Sequence, residues 1–158
     1  MALAPLALAQ RRASWALALR YFVVALAGHL VGCIGYGALY ALTITKMFTD
    51  YDSPTVQAIV AAAETKTLGY AALGASGLVL VVIKAMLCNW MVSLAVIMSL
   101  TSTETLAKIV AMWLPIVIFF SQGFEHAVVN LFMIPTGMML GADVSLAQWW
   151  GWNQGPVL

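Results

Sequence analysis

Three long apolar runs, separated by short polar links, organise this chain. The first extends from about Trp15 to Thr45, and its single charge, Arg20, lies near one end. A helix needs about 20 apolar residues to cross about 30 Å of hydrocarbon, so the pattern predicts one transmembrane span over 15–45. Residues 46–66 hold two lysines and three acids, with Ser53-Pro54 as a turn signal, and predict a loop with a short Ala-rich helix over 55–64. The second run, 67–100, would measure about 50 Å if fully helical. It must therefore tilt, kink or protrude, and Gly69, Gly74 and Gly77 make its first part the irregular one. Residues 101–108 (TSTETLAK) form a polar link in which Ser102 to Thr105 fits a helix start, with Ser or Thr as cap and Glu104 in the first turn. The third run, 106–141, is interrupted by SQGFEHAVVN (121–130), whose Glu, His and Asn would be costly against lipid. A helix that breaks at Ser121-Gln122-Gly123 and resumes as a second half-helix fits this text. Such backbone is tolerated at membrane depth only where it is buried or lines a cavity. Pro115 and Pro135 are further candidate kinks.

Composition agrees with this pattern. Of 158 residues 63% are hydrophobic and 8% charged, against about 25% charged in a typical soluble domain, which excludes a water-exposed globule. The chain is an all-α integral membrane protein. Seven Lys+Arg against six Asp+Glu leave a formal net charge of +1, without the basic patch that nucleic acid requires. Cys33 and Cys88 both sit in apolar runs, so no disulfide framework is expected. Two separated histidines and two cysteines make no metal-ligand set, and no P-loop, nucleophile elbow or carboxylate pair is present. No enzyme, cofactor or metal is expected.

At the start, MALAPLALAQRR places its arginines after the apolar stretch, the reverse of a signal peptide, and reads as a short non-cleaved lead. Arg11, Arg12 and Arg20 place this end in the cytoplasm. Loop 46–66 is then external, link 101–108 cytoplasmic, and the end of the third span external.

The residues with chemical potential concentrate in GFEHAVVN (123–130). A half-helix starting near Phe124 would point unpaired first-turn N–H groups into the bilayer, a setting suited to a small anion. His126 on that turn can donate a hydrogen bond and titrates near neutral pH. Glu125 favours the helix start electrostatically, and Asn130 shares the face of His126 four residues on. A pore role and a buried histidine tying two helices together both fit His126. Phe119 fits either a dehydrating constriction or an ordinary core position. Asn89, in CNWMVSLAV, fits a hydrogen bond to a neighbouring helix or support of broken backbone. Lys84 fits snorkelling or pairing with Glu104 or another polar group. His29, between Gly28 and Gly32, fits a small-residue packing face.

The stretch from Lys84 to Gly141 resembles the formate/nitrite transporter family. IKAMLCNWMVSLAVIMS is followed by KIVAMWLPIVIFFSQGFEHAVVNLFMIPTGMMLGA, so that CNWMV, GFEH-x-V-x-N and F-x-IP-x-G occur in order. Gly28-His29-Leu30-Val31-Gly32 resembles the family's G-N-L-V-G motif, with His in place of the usual Asn. The resemblance implies an aquaporin-like helix bundle, assembled as a homopentamer with one path per protomer. This chain would supply the third to fifth transmembrane helices: a single partial domain over 1–158, with spans 15–45, 67–100 and 106–141, the last broken. By position, His126 matches the central pore histidine and Phe119 a constriction. Glu125, Asn130 and Asn89 match supports of the broken helix. Lys66, in ETKTLGY, resembles the lysine of the external vestibule, although the step from Lys66 to Asn89 is longer than usual by about two helical turns. Lys84 matches a basic residue often found near that Asn.

The implied function is passage of small monovalent anions, formate, nitrite or similar, by a channel or a proton-coupled transporter in the plasma or inner membrane. Its partners are the anions, the lipid bilayer and further copies of the chain or a complementary chain. The alternatives are a truncated non-conducting fragment and one chain of a split transporter.

Overall fold

The computed structural model describes residues 4–158. Among them every regular element is helical: α1 (Ala4–Ala9), α2 (Trp15–Ile44), α3 (Pro54–Thr65), α4 (Leu68–Ala71), α5 (Ala75–Leu100), α6 (Thr105–Ser121), α7 (Ala127–Met139) and α8 (Leu146–Trp149), then a π-helical turn (Trp150–Gln154) and α9 (Gly155–Val157). Of these, α2 and α5 are long and apolar enough to cross a bilayer. The chain divides into two compact units, one containing residues up to Gly28 with Met86–Phe124, the other His29–Ala85 with Glu125–Leu158.

The first unit holds α1, the start of α2, most of α5 and α6. Many of its large apolar side chains, among them Leu19, Val24, Ile97 and Ile109, are exposed, as expected where lipid rather than water is the solvent. The cap of α6 differs from the sequence expectation. Glu104 itself is the N-cap, without a side-chain cap bond, and Ser102 Oγ accepts its N–H at 3.1 Å. The helix continues through Pro115, and α7 likewise continues through Pro135.

In the second unit, the segment read as an external loop contains a packed helix. Ser53 Oγ accepts the Val56 N–H at 3.3 Å and Pro54 follows as the first helical residue, so α3 starts where a cap and a proline favour it. Val56, Ile59 and Ala63 recur at helical spacing and are buried. Val56 and Ile59 pack with Ala41 of α2 and Leu140 at the end of α7, and Ala63 faces Gly137. Gly137 permits the close approach of α3 and α7: a Cβ there would fall on the Ala63 methyl and lie 3.2 Å from the Ile59 carbonyl oxygen. On α2 the close approach is made by Gly37, whose Cβ would collide with Thr136 Oγ1, while a Cβ on Gly28 or Gly32 would meet nothing within 4 Å. The close approach on α2 is therefore made at Gly37, not at Gly28 or Gly32. Beside it the Phe132 ring lies 5.4 Å from that of Tyr36 and 5.9 Å from that of Tyr40, within the range of favourable aromatic pairs.

These glycines make a prediction. Gly137→Ala is expected to destabilise the protein by about 1–3 kcal/mol through overpacking. Gly32→Ala, in open space, is expected to be neutral or stabilising by up to about 1 kcal/mol. Thermal unfolding of the two variants in detergent checks the ordering.

The turn leaving α2 is held by Thr45. Its Oγ1 accepts the Phe48 N–H at 2.9 Å, and its carbonyl accepts the N–H groups of Thr49 and Asp50 at 2.9 Å. Lys46, Met47 and Phe48 all have positive φ, a conformation costing about 1–2 kcal/mol per non-glycine residue. The exposed Lys46 ammonium reaches Asp50 at 2.8 Å and holds its carboxyl below the usual carboxylate range.

The second apolar run is two helices rather than one. Gly74, at φ +59°, turns the chain between α4 and α5. A Cβ on Gly77 would collide with the Tyr70 carbonyl oxygen and lie 3.2 Å from Leu73 Cβ. The absence of that Cβ lets the start of α5 lie directly against α4.

Candidate functional site

The third run breaks where the polar residues predict. α6 ends at Ser121, and Gly123 at φ +61° supplies the left-handed residue that closes it. The Gly123 N–H donates to Phe120 O at 3.1 Å and the Phe124 N–H to Phe119 O at 3.3 Å, the paired bonds of a Schellman motif. Phe119 is buried and its ring stacks on Phe120, with centroids 4.4 Å apart.

The start of α7 lies later than expected. His126 is its N-cap rather than a first-turn residue, and Nδ1 accepts the Val129 N–H at 3.3 Å. The imidazole therefore satisfies one of the N–H groups expected to remain open. With Nδ1 accepting, a neutral imidazole carries its proton on Nε2 and presents a donor there.

Glu125, one residue earlier, is 1% exposed. Its Oε2 accepts from Lys66 Nζ at 2.9 Å, Asn130 Nδ2 at 2.9 Å and Asn153 Nδ2 at 3.1 Å, and its Oε1 accepts the Tyr70 hydroxyl at 2.6 Å. Lys84 Nζ donates to the Tyr70 hydroxyl at 3.2 Å and stands 5.6 Å from the centre of that ring. Asn153 Nδ2 also donates to the Lys66 carbonyl at 3.0 Å, tying the carboxylate to the end of α3. A buried carboxylate is stable only when its lone pairs are filled and its charge is balanced. Here four donors fill it, one of them cationic.

Of the residues singled out in the sequence, Glu125, Asn130 and Lys66 converge, with His126 adjoining them. Lys66, expected in a vestibule, has its ammonium on Glu125. Lys84, considered for Glu104, reaches Tyr70 instead. Phe119 closes α6, whereas Asn89 occupies an exposed position of α5 in the first unit. Tyr70 and Asn153 were not singled out. The signal for Tyr70 was its place four residues after Lys66, and for Asn153 the polar Asn-Gln pair within WWGWNQGP. Among the described residues no group of three or more His, Cys, Asp or Glu could hold a metal ion.

The chain matches the model of the formate/nitrite transporter family over residues 1–158. It is 35% identical over 144 residues to a protein of Methanothermobacter thermautotrophicus named "Probable formate transporter", covering 87% of this chain and 52% of that one. It is 53% identical over 49 residues to the formate channel FocB of Escherichia coli K12, covering 31% of this chain and 17% of the channel. With the formate channel FocA of the same strain the identity is 41% over 64 residues, 40% of this chain and 22% of that one. The chain thus spans about half the length of the archaeal relative and less of the two channels. No solved structure matches it. With the family model matched over the whole chain and its GFEH text at a helix break, the chain belongs to the formate/nitrite transporter family.

Proposed function

We propose that this chain forms the part of a multi-pass membrane protein past which small monovalent anions, formate or nitrite, cross the bilayer. The observation that carries this reading is the α6–α7 break, with His126 capping the resumed helix beside the buried Glu125 network. A helix N-terminus favours negative charge, and an imidazole N–H adds a donor for an anion that has shed water. The names of the relatives, a formate transporter and formate channels, support the same substrate class. In this reading Phe119 narrows the path. Glu125 and Asn130 hold the start of α7 in place, and the protomers assemble as an aquaporin-like homopentamer in the plasma or inner membrane.

The test is solute selectivity. The chain is grafted in place of the matching segment of the Methanothermobacter relative and reconstituted in liposomes. The graft is expected to pass formate and nitrite and to exclude glycerol, a neutral solute. Equal passage of glycerol, or none of either anion, contradicts the reading. The chain reconstituted alone is expected to pass neither, because an aquaporin-like path needs both repeats. Saturable formate uptake by the chain alone would show that its copies complete a path between them.

A further inference from the structure

We infer that His29 is a second imidazole of the anion site, set on α2 opposite His126, so that a small oxyanion is held between two histidines rather than by one. This rests on the anion reading above and names a further residue of the same site.

Side-chain contacts bring the two residues together. Cys33 Sγ donates to the Val128 carbonyl at 3.5 Å. Further along, the rings of Tyr36 and Tyr40 lie against that of Phe132, Gly37 lies against Thr136, and Ala41 packs with Leu140. The contacts advance together along both helices, so α2 and α7 run side by side in the same direction. His29 lies one helical turn before Cys33 on the same face. One step back in this register, α2 presents His29 to the start of α7, where His126 is the N-cap. A protonated His29 acts electrostatically on His126. His29 also stands near the middle of the 30-residue α2, a depth at which an ionisable side chain is costly against lipid. A polar path shared with His126 relieves that cost.

The other titratable groups on the neighbouring elements have partners. Glu125 accepts from Lys66, Tyr70, Asn130 and Asn153, and Lys84 donates to the Tyr70 hydroxyl. The Cys33 thiol is turned to Val128. The two imidazoles are therefore the groups suited to change charge near neutral pH. With Nδ1 taken by the Val129 N–H, a neutral His126 donates through Nε2. His29 adds an N–H from the other helix. Two positive charges in one site repel each other, so the pair carries one extra proton rather than two. One positive charge with a donor from each helix matches a monovalent anion with two oxygen acceptors, a carboxylate or nitrite.

The chain has two histidines, so 15N-histidine labelling reports on both imidazoles and on nothing else. The experiment places the full chain, purified through a tag without histidine, in lipid bilayers and measures dipolar coupling from bound 13C-formate to the imidazole nitrogens. His29→Leu assigns the two signals. Both imidazoles of the wild type are expected to couple to formate. His29→Leu should weaken formate binding about tenfold, the 1.4 kcal/mol of one decade. If His29→Leu does not fold, His29→Asn assigns the signals and carries the affinity test, since it keeps a polar side chain and removes the charge; it too should bind more weakly than wild type. Coupling to His126 alone overturns the inference, as does coupling to neither imidazole, or wild-type affinity in the variant. Passage by the graft together with coupling to His126 alone would strike the pair and leave the transport reading standing. Coupling to both imidazoles in a chain whose graft passes no anion would do the reverse.

Discussion

Glu125→Leu and Lys66→Met are each expected to destabilise the protein by about 3–5 kcal/mol, while the double variant is expected to be no less stable than either single one. Glu125 is almost completely buried and accepts four hydrogen bonds. Removing Lys66 leaves that carboxylate without its ion-pair partner. Removing Glu125 strips the Lys66 ammonium, the Tyr70 hydroxyl and two side-chain amides of their acceptor. The Lys66 side chain is 20% exposed and water recovers part of its loss, so Glu125→Leu falls toward the lower end. Replacing both charges together removes the uncompensated one, though Asn130, Asn153 and Tyr70 still lose a partner. The single effects should therefore fail to add by at least about 3 kcal/mol. Chemical unfolding of the four proteins in mild detergent measures the cycle. Additive losses would show that the two residues do not act as a pair.

His126→Phe is expected to abolish anion passage, and His126→Asn to separate the reason from folding. The imidazole accepts the Val129 N–H and so caps α7. Phenylalanine fills a similar volume but caps nothing, at a cost of about 0.5–2 kcal/mol, whereas asparagine is among the best capping residues. The Phe variant should therefore insert with somewhat lower yield and pass no anion. The Asn variant should insert like wild type. Its amide keeps a donor but does not titrate, so passage should fall and lose the pH sensitivity that a titrating imidazole confers. A histidine that served only as a helix cap predicts wild-type passage per inserted molecule in His126→Asn. Uptake by the grafted transporter, normalised to inserted protein across pH 5 to 8 (roughly the imidazole titration range), distinguishes the two.

The parts of the fold legible in the sequence are those decided by local physics. Gly123 among polar residues inside an apolar run announced the break between α6 and α7, because such groups are costly against lipid and glycine readily takes the left-handed conformation found there. Ser53-Pro54 before an Ala-rich stretch announced α3. What the sequence did not disclose depends on partners distant along the chain. Lys66 and Glu125 are 59 positions apart and meet only because α3 packs on α7 through Gly137. The small-residue spacing of Gly28 and Gly32 did not point to Gly37, where α2 comes closest to Thr136, since only tertiary contact distinguishes one helical glycine from another. The start of α7 moved from near Phe124 to Ala127, so His126 went from first turn to cap, where its own ring takes one of the N–H groups it was expected to leave open. Tyr70 reaches Glu125 across a turn that apolar periodicity within a single run does not reveal.

The most direct measurement is the rate of 13C-formate influx into liposomes carrying the grafted transporter, with inserted protein quantified in the same vesicles. The predicted result is saturable influx well above that of protein-free vesicles, reduced by competing nitrite. Influx indistinguishable from protein-free vesicles, with folded protein present in the bilayer, would contradict the assignment of this segment to an anion path.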